Sequence, residues 1–231
     1  MIGFYDYTVI LTYLSLLSAT TGIVVALSGG GHPYYGCFFL LFSGLCDAFD
    51  GKVARTKKTR TRAEMDFGIQ IDSLSDLVAF GVLPSCIGTA LIRVSPLIQA
   101  ALAGISIPWH IAAGKFLLHA ILVLYALAAM IRLAYYNVTE EERQEKESGA
   151  RKEYLGLPVT SAALIFPFVL LLQHMSRPDI TLAYLAVSLV TAVLFITPVR
   201  VPKPGMRGIL IMVGIGAVEF ALLLVRKVMA G

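Results

Sequence analysis

The chain has 231 residues, of which 57% are hydrophobic and only 15% charged. Soluble domains carry about 25% charged residues, so this composition excludes an ordinary soluble protein and places the chain in a lipid bilayer. The formal net charge of +4 does not point to nucleic acid, because the cations sit in short loops between apolar runs, as they do on the cytoplasmic side of integral membrane proteins.

Met1 to Phe4 bring no basic stretch ahead of the first apolar run, so that run, from about Tyr7 to Leu27, is expected to be a first membrane helix and not a cleaved signal. It ends at Ser28-Gly29-Gly30-Gly31-His32-Pro33, a breaker cluster that reads as a loop. The second run starts near Tyr34, stays apolar to Leu45 and closes in a polar stretch at Arg55. Residues 56–66, with Lys57, Lys58, Arg60 and Arg62, form a charged loop. A third run follows from Phe67 to about Ile92. Ser95 to Trp109 is apolar but short and holds Pro96 and Pro108, so it is expected to be a loop or re-entrant piece. A fourth helix is expected from Ile111 to Tyr136, and residues 137–154 read as a solvated amphipathic segment of mixed charge. Leu155–Gln173, Ile180–Thr197 and Gly208–Val225 are three further apolar runs, with residues 198–207 a loop between the last two. The expectation is an all-α, polytopic transmembrane bundle of six to eight helices, seven on a first count, forming one membrane domain over residues 1–231. Cys37, Cys46 and Cys86 form no C-x-x-C pair and lie in or beside apolar runs, the pattern of small buried residues. His110, His119 and His174 have no partner at ligand spacing and read as structural.

Chemistry concentrates where the second and third runs meet the basic loop. At about 100° per residue, Asp47, Asp50, Gly51 and Ala54 share one helix face, and Gly68, Asp72 and Asp76 share another. The small residues on those stripes let two backbones, or a backbone and a flat ligand, approach closely. Unpaired, four clustered carboxylates repel and take up protons; around a hard divalent cation they form an oxygen cage suited to Mg²⁺ or Mn²⁺. Intramembrane acids also describe an ion path, so a divalent-cation transporter is the alternative from another class. Transport favours acids near mid-bilayer on broken helices, whereas these adjoin a basic loop.

The spacing resembles the signature of the CDP-alcohol phosphotransferases, D-x2-D-G-x2-A-R followed by G-x3-D-x3-D, and is matched at all eight fixed positions by Asp47, Asp50, Gly51, Ala54, Arg55, Gly68, Asp72 and Asp76. Ile131-Arg132-Leu133-Ala134-Tyr135-Tyr136-Asn137 and Tyr154-Leu155-Gly156-Leu157-Pro158 are similar to segments of the phosphatidylserine synthase branch. That resemblance implies transfer of a phosphatidyl group from CDP-diacylglycerol to L-serine with release of CMP. It implies metal ligation by Asp47, Asp50, Asp72 and Asp76, with two ions, and Asp76 as general base. Gly51, Ala54 and Gly68 would face the cytidine, with Arg55 on phosphate or as an anchor, and Arg132 on the serine carboxylate or as an anchor. It also implies a homodimer. Glycerol 3-phosphate or an inositol compound is the alternative acceptor. The first helix departs from the branch, which has an asparagine in its middle where Ser15 stands here.

Placing Lys52–Arg62, Arg132–Lys152 and Arg200–Arg207 on one side collects fourteen of the nineteen Lys and Arg residues. The positive-inside rule makes that side, and the acid cluster with it, cytoplasmic in a multi-pass protein of the cell membrane. A cysteine at Thr59, in a background without the native cysteines, is therefore expected to react only with thiol reagents that enter the cytoplasm. Labelling of intact cells by an impermeant reagent would overturn this orientation.

Overall fold

A computed structural model describes residues 3–104, 108–146, 153–176, 179–202 and 205–230. Helix α1 (Ile10–Leu27) ends in a turn where Gly29 and Gly31 take φ of 54° and 108°. The His32 N–H then returns to the Ala26 carbonyl at 2.8 Å, and α2 (Pro33–Ala54) starts on a proline, whose missing N–H costs nothing in a first turn. Thr61 and Glu64 form a reciprocal capping box that starts α3 (Arg62–Asp76). A π-helical stretch (Leu77–Val82) and α4 (Leu83–Val94) continue it as one 33-residue rod.

Ser95 caps α5 (Pro96–Ala103) by accepting from the Ile98 N–H, so part of the expected loop is a short helix. Helix α6 (Pro108–Lys146) has 39 residues, about 58 Å at 1.5 Å per residue. It therefore continues through Asn137, where the sequence suggests the apolar helix should stop. Then come β1 (Glu153–Leu155), a 3₁₀ turn at Val159–Ser161, α7 (Ala162–Ser176), α8 (Thr181–Ile196), β2 (Arg200–Pro202) and α9 (Met206–Ala230). Strands β1 and β2 pair antiparallel, Tyr154 opposite Val201, and tie together two loops far apart in sequence.

Taking α3 through α4 as one rod, the described residues hold seven helical rods of 15 residues or more. Four are long and apolar enough to cross a membrane, and α7 and α8 are shorter apolar helices. The chain is an all-α, multi-pass membrane bundle.

Close packing through small residues sets the helix positions. Ser15 and Ser43 lock α1 to α2, the Ser43 Oγ donating to the Ser15 carbonyl at 3.0 Å, and the Ser18 Oγ donates to the Phe39 carbonyl at 2.9 Å. The π-helical stretch follows from Pro84, which has no N–H to give the Phe80 carbonyl one turn earlier. Tyr125 of α6 replaces that donor with its hydroxyl at 2.6 Å, and Tyr184 of α8 donates to the Pro84 carbonyl at 2.7 Å. Both tyrosines are fully buried and pack against Phe166 at ring distances of 5.3 and 4.8 Å. A break in one helix thus becomes the point where α4, α6 and α8 are joined.

Gly44 tests this packing: a methyl there would lie 2.5 Å from the Ala163 Cβ on α7, while one at Gly214 of α9 meets nothing within 4 Å. Gly44→Ala is expected to destabilise by about 1–3 kcal/mol, the usual cost of overpacking, read as a lower thermal midpoint in detergent. Gly214→Ala should leave the midpoint unchanged or raise it.

Candidate active site

Asp47 and Asp50 stand one turn apart near the end of α2, and Asp72 and Asp76 one turn apart at the end of α3. The two stripes face one another. Carboxylate oxygens of Asp47, Asp50 and Asp72 all lie within 4.8 Å of each other. Asp76, 8% exposed like Asp50, sits behind them with its carboxyl against that of Asp47, while Asp50 meets Asp72. Helix α1 closes the third side: the Thr12 Oγ1 donates to Asp50 Oδ2 at 3.4 Å, and the Ser75 Oγ donates to the Thr12 carbonyl at 3.2 Å. The Gly51 N–H also donates to Asp50 Oδ1. Among the described residues no Lys or Arg comes within ion-pair distance of any of the four acids. Half-buried carboxylates that the protein leaves without a cation, with only oxygen donors converging, fit a hard divalent ion well.

From the acids a cleft of about 160 Å³ runs toward the loop that joins α2 and α3. It is lined by Asp50, Gly51, Ala54 and Arg55 of α2, Met65, Gly68, Ile69 and Asp72 of α3, Thr8, Val9 and Thr12 beside them, and Arg60 of the loop. Arg55 folds back over Gly51, its guanidinium 3.6 Å from where a Cβ would be. The segment before α1 is strapped to this loop by Lys57, whose Nζ lies 2.6 Å from both Asp6 and Glu64. Lys57 and then Thr8 hold the Asp6 carboxyl down at about 2. A lowered carboxyl keeps its tie through the whole working range and loses it only as pH falls toward that value.

Arg132 does not line this cleft. It is 6% exposed, lies 5.4 Å from the Tyr136 ring and packs under the turn that follows β1. In that turn Gly156 has φ of 80°, and a Cβ would sit 2.7 Å from the Phe195 carbonyl and 3.2 Å from Arg132 Nε, so only glycine fits. The Gly156 and Leu157 N–H groups donate to the carbonyls of Val199 and Leu194 at 2.7 and 3.0 Å. Tyr154, ring to ring with Tyr136 at 5.7 Å, has its phenol pushed up to about 12 by burial, then by Tyr136 and Asp47, with Arg132 opposing. That Asp47 is felt there puts Tyr154 and Arg132 in the acids' electrostatic neighbourhood. The Asn137 side-chain amide completes the link by donating to Ser73 Oγ, beside Asp72, at 2.7 Å.

The model of the CDP-alcohol phosphatidyltransferase family matches residues 8–197, a span that includes the four acids, the whole cleft lining and Arg132. The chain belongs to this family. Among its relatives is a CDP-diacylglycerol–serine O-phosphatidyltransferase of Helicobacter pylori, 27% identical over 170 residues, which are 72% of this chain and 60% of that protein. The archaetidylserine synthase of Methanothermobacter thermautotrophicus is 30% identical over 193 residues, 82% of this chain and 68% of its own length. A Saccharomyces cerevisiae CDP-diacylglycerol–serine O-phosphatidyltransferase is 30% identical over 163 residues, 66% of this chain and 50% of that protein.

For a CDP-alcohol phosphatidyltransferase the signature residues fall into place unevenly. Asp50, Gly51, Ala54, Arg55, Gly68 and Asp72 share the cleft wall, whereas Asp47, Asp76 and Arg132 are not part of its lining. Ser15, expected to take the place of an asparagine in the first helix, packs α1 on α2 instead, its Oγ 3.5 Å from the Ser43 carbonyl. Thr12, one turn closer to the loop, is the α1 side chain that reaches an acid. Thr8, Thr12 and Arg60 escape a reading by motif, since a threonine in an apolar run and an arginine in a basic loop look the same with or without a ligand; Asn137 closes a recognised segment, but its partner Ser73 could not be read from it.

Proposed function

We propose that this protein transfers the phosphatidyl group of CDP-diacylglycerol to the hydroxyl of L-serine, giving phosphatidylserine and CMP. The observation that carries the reading is the convergence of Asp47, Asp50 and Asp72 from two helices at the head of a glycine-walled cleft, with Asp76 behind. The names of the relatives support serine as acceptor. Glycerol 3-phosphate and inositol compounds are the acceptors to compare against it.

On this reading Asp47, Asp50, Asp72 and Asp76 hold Mg²⁺ or Mn²⁺, probed as two ions. When bound, the metal neutralises charge on the diphosphate and steadies the departing CMP. The serine oxygen bonds to the lipid-linked phosphorus as the bond from that phosphorus to the bridging oxygen breaks. The hydroxyl proton passes to the Asp76 carboxylate, and the electron pair leaves with CMP. Gly51, Ala54 and Gly68 give the nucleotide a wall without side chains, Arg55 offers a charge to phosphate, and Arg132 offers a planar fork to the serine carboxylate. The whole chain acts as one membrane domain, as a homodimer in the cell membrane, with the acids on the cytoplasmic face. There the diacyl tails stay in the leaflet while serine arrives from water.

Purified protein in detergent, given CDP-diacylglycerol and Mg²⁺ or Mn²⁺, is expected to release CMP with serine and not with glycerol 3-phosphate or inositol. Asp50→Ala and Asp72→Ala should reduce turnover to background with folding nearly intact, and EDTA should do the same to the native protein. Turnover that survives EDTA would sink the metal assignment.

Arg132→Ala is expected to raise the serine KM roughly ten- to a hundredfold, from about 1.5–3 kcal/mol for a charged hydrogen bond, with the lipid KM unchanged. Arg132→Lys should recover only part, because an ammonium keeps the charge without the fork. An unchanged serine KM with low protein yield would make Arg132 an anchor.

A further inference from the structure

We propose that Arg60 is a specificity residue of this cleft, its guanidinium covering the flat base of the cytidine nucleotide; this rests on the function proposed above and extends it to how the nucleoside is recognised.

Arg60 belongs to none of the signature positions, yet its placement is specific. Its Nη2 donates to the Glu64 carbonyl in the first turn of α3 at 3.0 Å. The same nitrogen lies 2.6 Å from where a Cβ on Gly68 would be, so the guanidinium rests on bare backbone that only glycine exposes. Among the described residues no carboxylate is within ion-pair distance of it, and its Nε is buried without a hydrogen-bond partner. A loop cation serving as an anchor is normally solvated or paired. This one is seated by a backbone carbonyl against a cleft wall.

The direction of the cleft says what meets it. On α3, Gly68 is one turn nearer the loop than Asp72; on α2, Gly51 and Ala54 lie on the loop side of Asp50. A liponucleotide with its diphosphate at the acids has to send its acyl tails to the bilayer and its nucleoside to the loop end. The lining at that end combines apolar side chains from Val9, Met65 and Ile69 with Thr8, Arg55 of α2 and, over Gly68, Arg60. Apolar walls and a planar cation suit a flat heterocycle with carbonyl acceptors, because a guanidinium both stacks on a ring and keeps N–H groups to donate. A diphosphate would instead need to be reached across the turn that separates Gly68 from Asp72.

The test uses the full-length protein in detergent with Mg²⁺ and compares Arg60→Gln and Arg60→Lys with the native chain. CMP, ribose 5-phosphate and inorganic pyrophosphate are measured both as competitors of CDP-diacylglycerol and by calorimetric binding. Arg60→Gln is expected to weaken CMP about tenfold or more while leaving pyrophosphate, ribose 5-phosphate and the serine KM unchanged. Arg60→Lys should resemble Arg60→Gln, since the plane and not the charge is lost. Equal weakening of CMP and pyrophosphate, or rescue by lysine, would make Arg60 a phosphate contact and overturn the proposal; so would unchanged CMP binding. Should both variants fail to fold, Arg60→Met, which keeps the apolar stem and removes only the guanidinium, is expected to show the same selective loss of CMP, equal loss or no loss again counting against the proposal. A native protein that releases no CMP refutes the proposed function itself, whereas native turnover with unaltered CMP binding in the variants refutes only the role of Arg60.

Discussion

Carboxylates gathered in a membrane protein repel one another and lose hydration, and here the protein supplies no Lys or Arg among the described residues to offset either cost. Much of the surrounding structure acts to keep the acids together in spite of this. The serine pair between α1 and α2 and the Ser75–Thr12 contact between α3 and α1 fix three helices around them. The capping box sets where α3 begins, and so which residues face α2. Lys57 is held by Asp6 and Glu64, so one of the loop's cations is engaged there and stays off the cluster. A site whose charge is left open in this way is ready for a cation from solution, at the expense of stability when that cation is absent.

The second constraint is the position of Asp76. It is the last residue of α3, immediately before the π-helical stretch. Because Pro84 denies Phe80 its usual donor and Tyr125 takes over, that stretch is bonded to α6 rather than only to itself. Packing deep in the bundle, among Tyr125, Phe166 and Tyr184, therefore bears directly on the helix that presents the acid proposed as base. Substitutions in this aromatic group would act on chemistry by way of the rod's rotation, without touching a substrate.

Helix faces were legible in the sequence where polar residues recur at helical spacing in an apolar background, as with the four aspartates and their glycines. The capping signal Thr61-x-x-Glu64 was equally legible, and a reading that began the helix at Phe67 passed over it. Other features could not be read. An apolar helix and its hydrophilic continuation look like two segments, so the length of α6 was hidden by the change of composition at Asn137. Strands of three residues carry no periodicity, and the β1–β2 pairing depends on a partner some fifty residues away. Thr12 is ambiguous for a different reason: a hydroxyl in an apolar run bonds its own helix or a neighbour with equal ease, and only the arrival of Asp50 decides.

These less visible features converge on one place. The β1–β2 pair positions the Gly156 turn, which packs on Arg132, and the continuation of α6 beyond its apolar part carries Tyr136 and Asn137 onto Tyr154 and Ser73. The acids thus have two dissimilar neighbours. Toward the α2–α3 loop lies the glycine-walled cleft, and toward β1 lie an arginine, two tyrosines and an amide, beside a turn held by the Leu194 carbonyl of α8 and the Val199 carbonyl just beyond it. A transfer reaction with a large flat donor and a small polar acceptor needs such asymmetry, since the two substrates must reach one phosphorus from different sides without competing for the same groups. In the reading proposed here both substrates meet at the aspartates, while Gly68 and Arg60 face the nucleotide and Arg132 faces the acceptor, so a change on one side need not disturb the other.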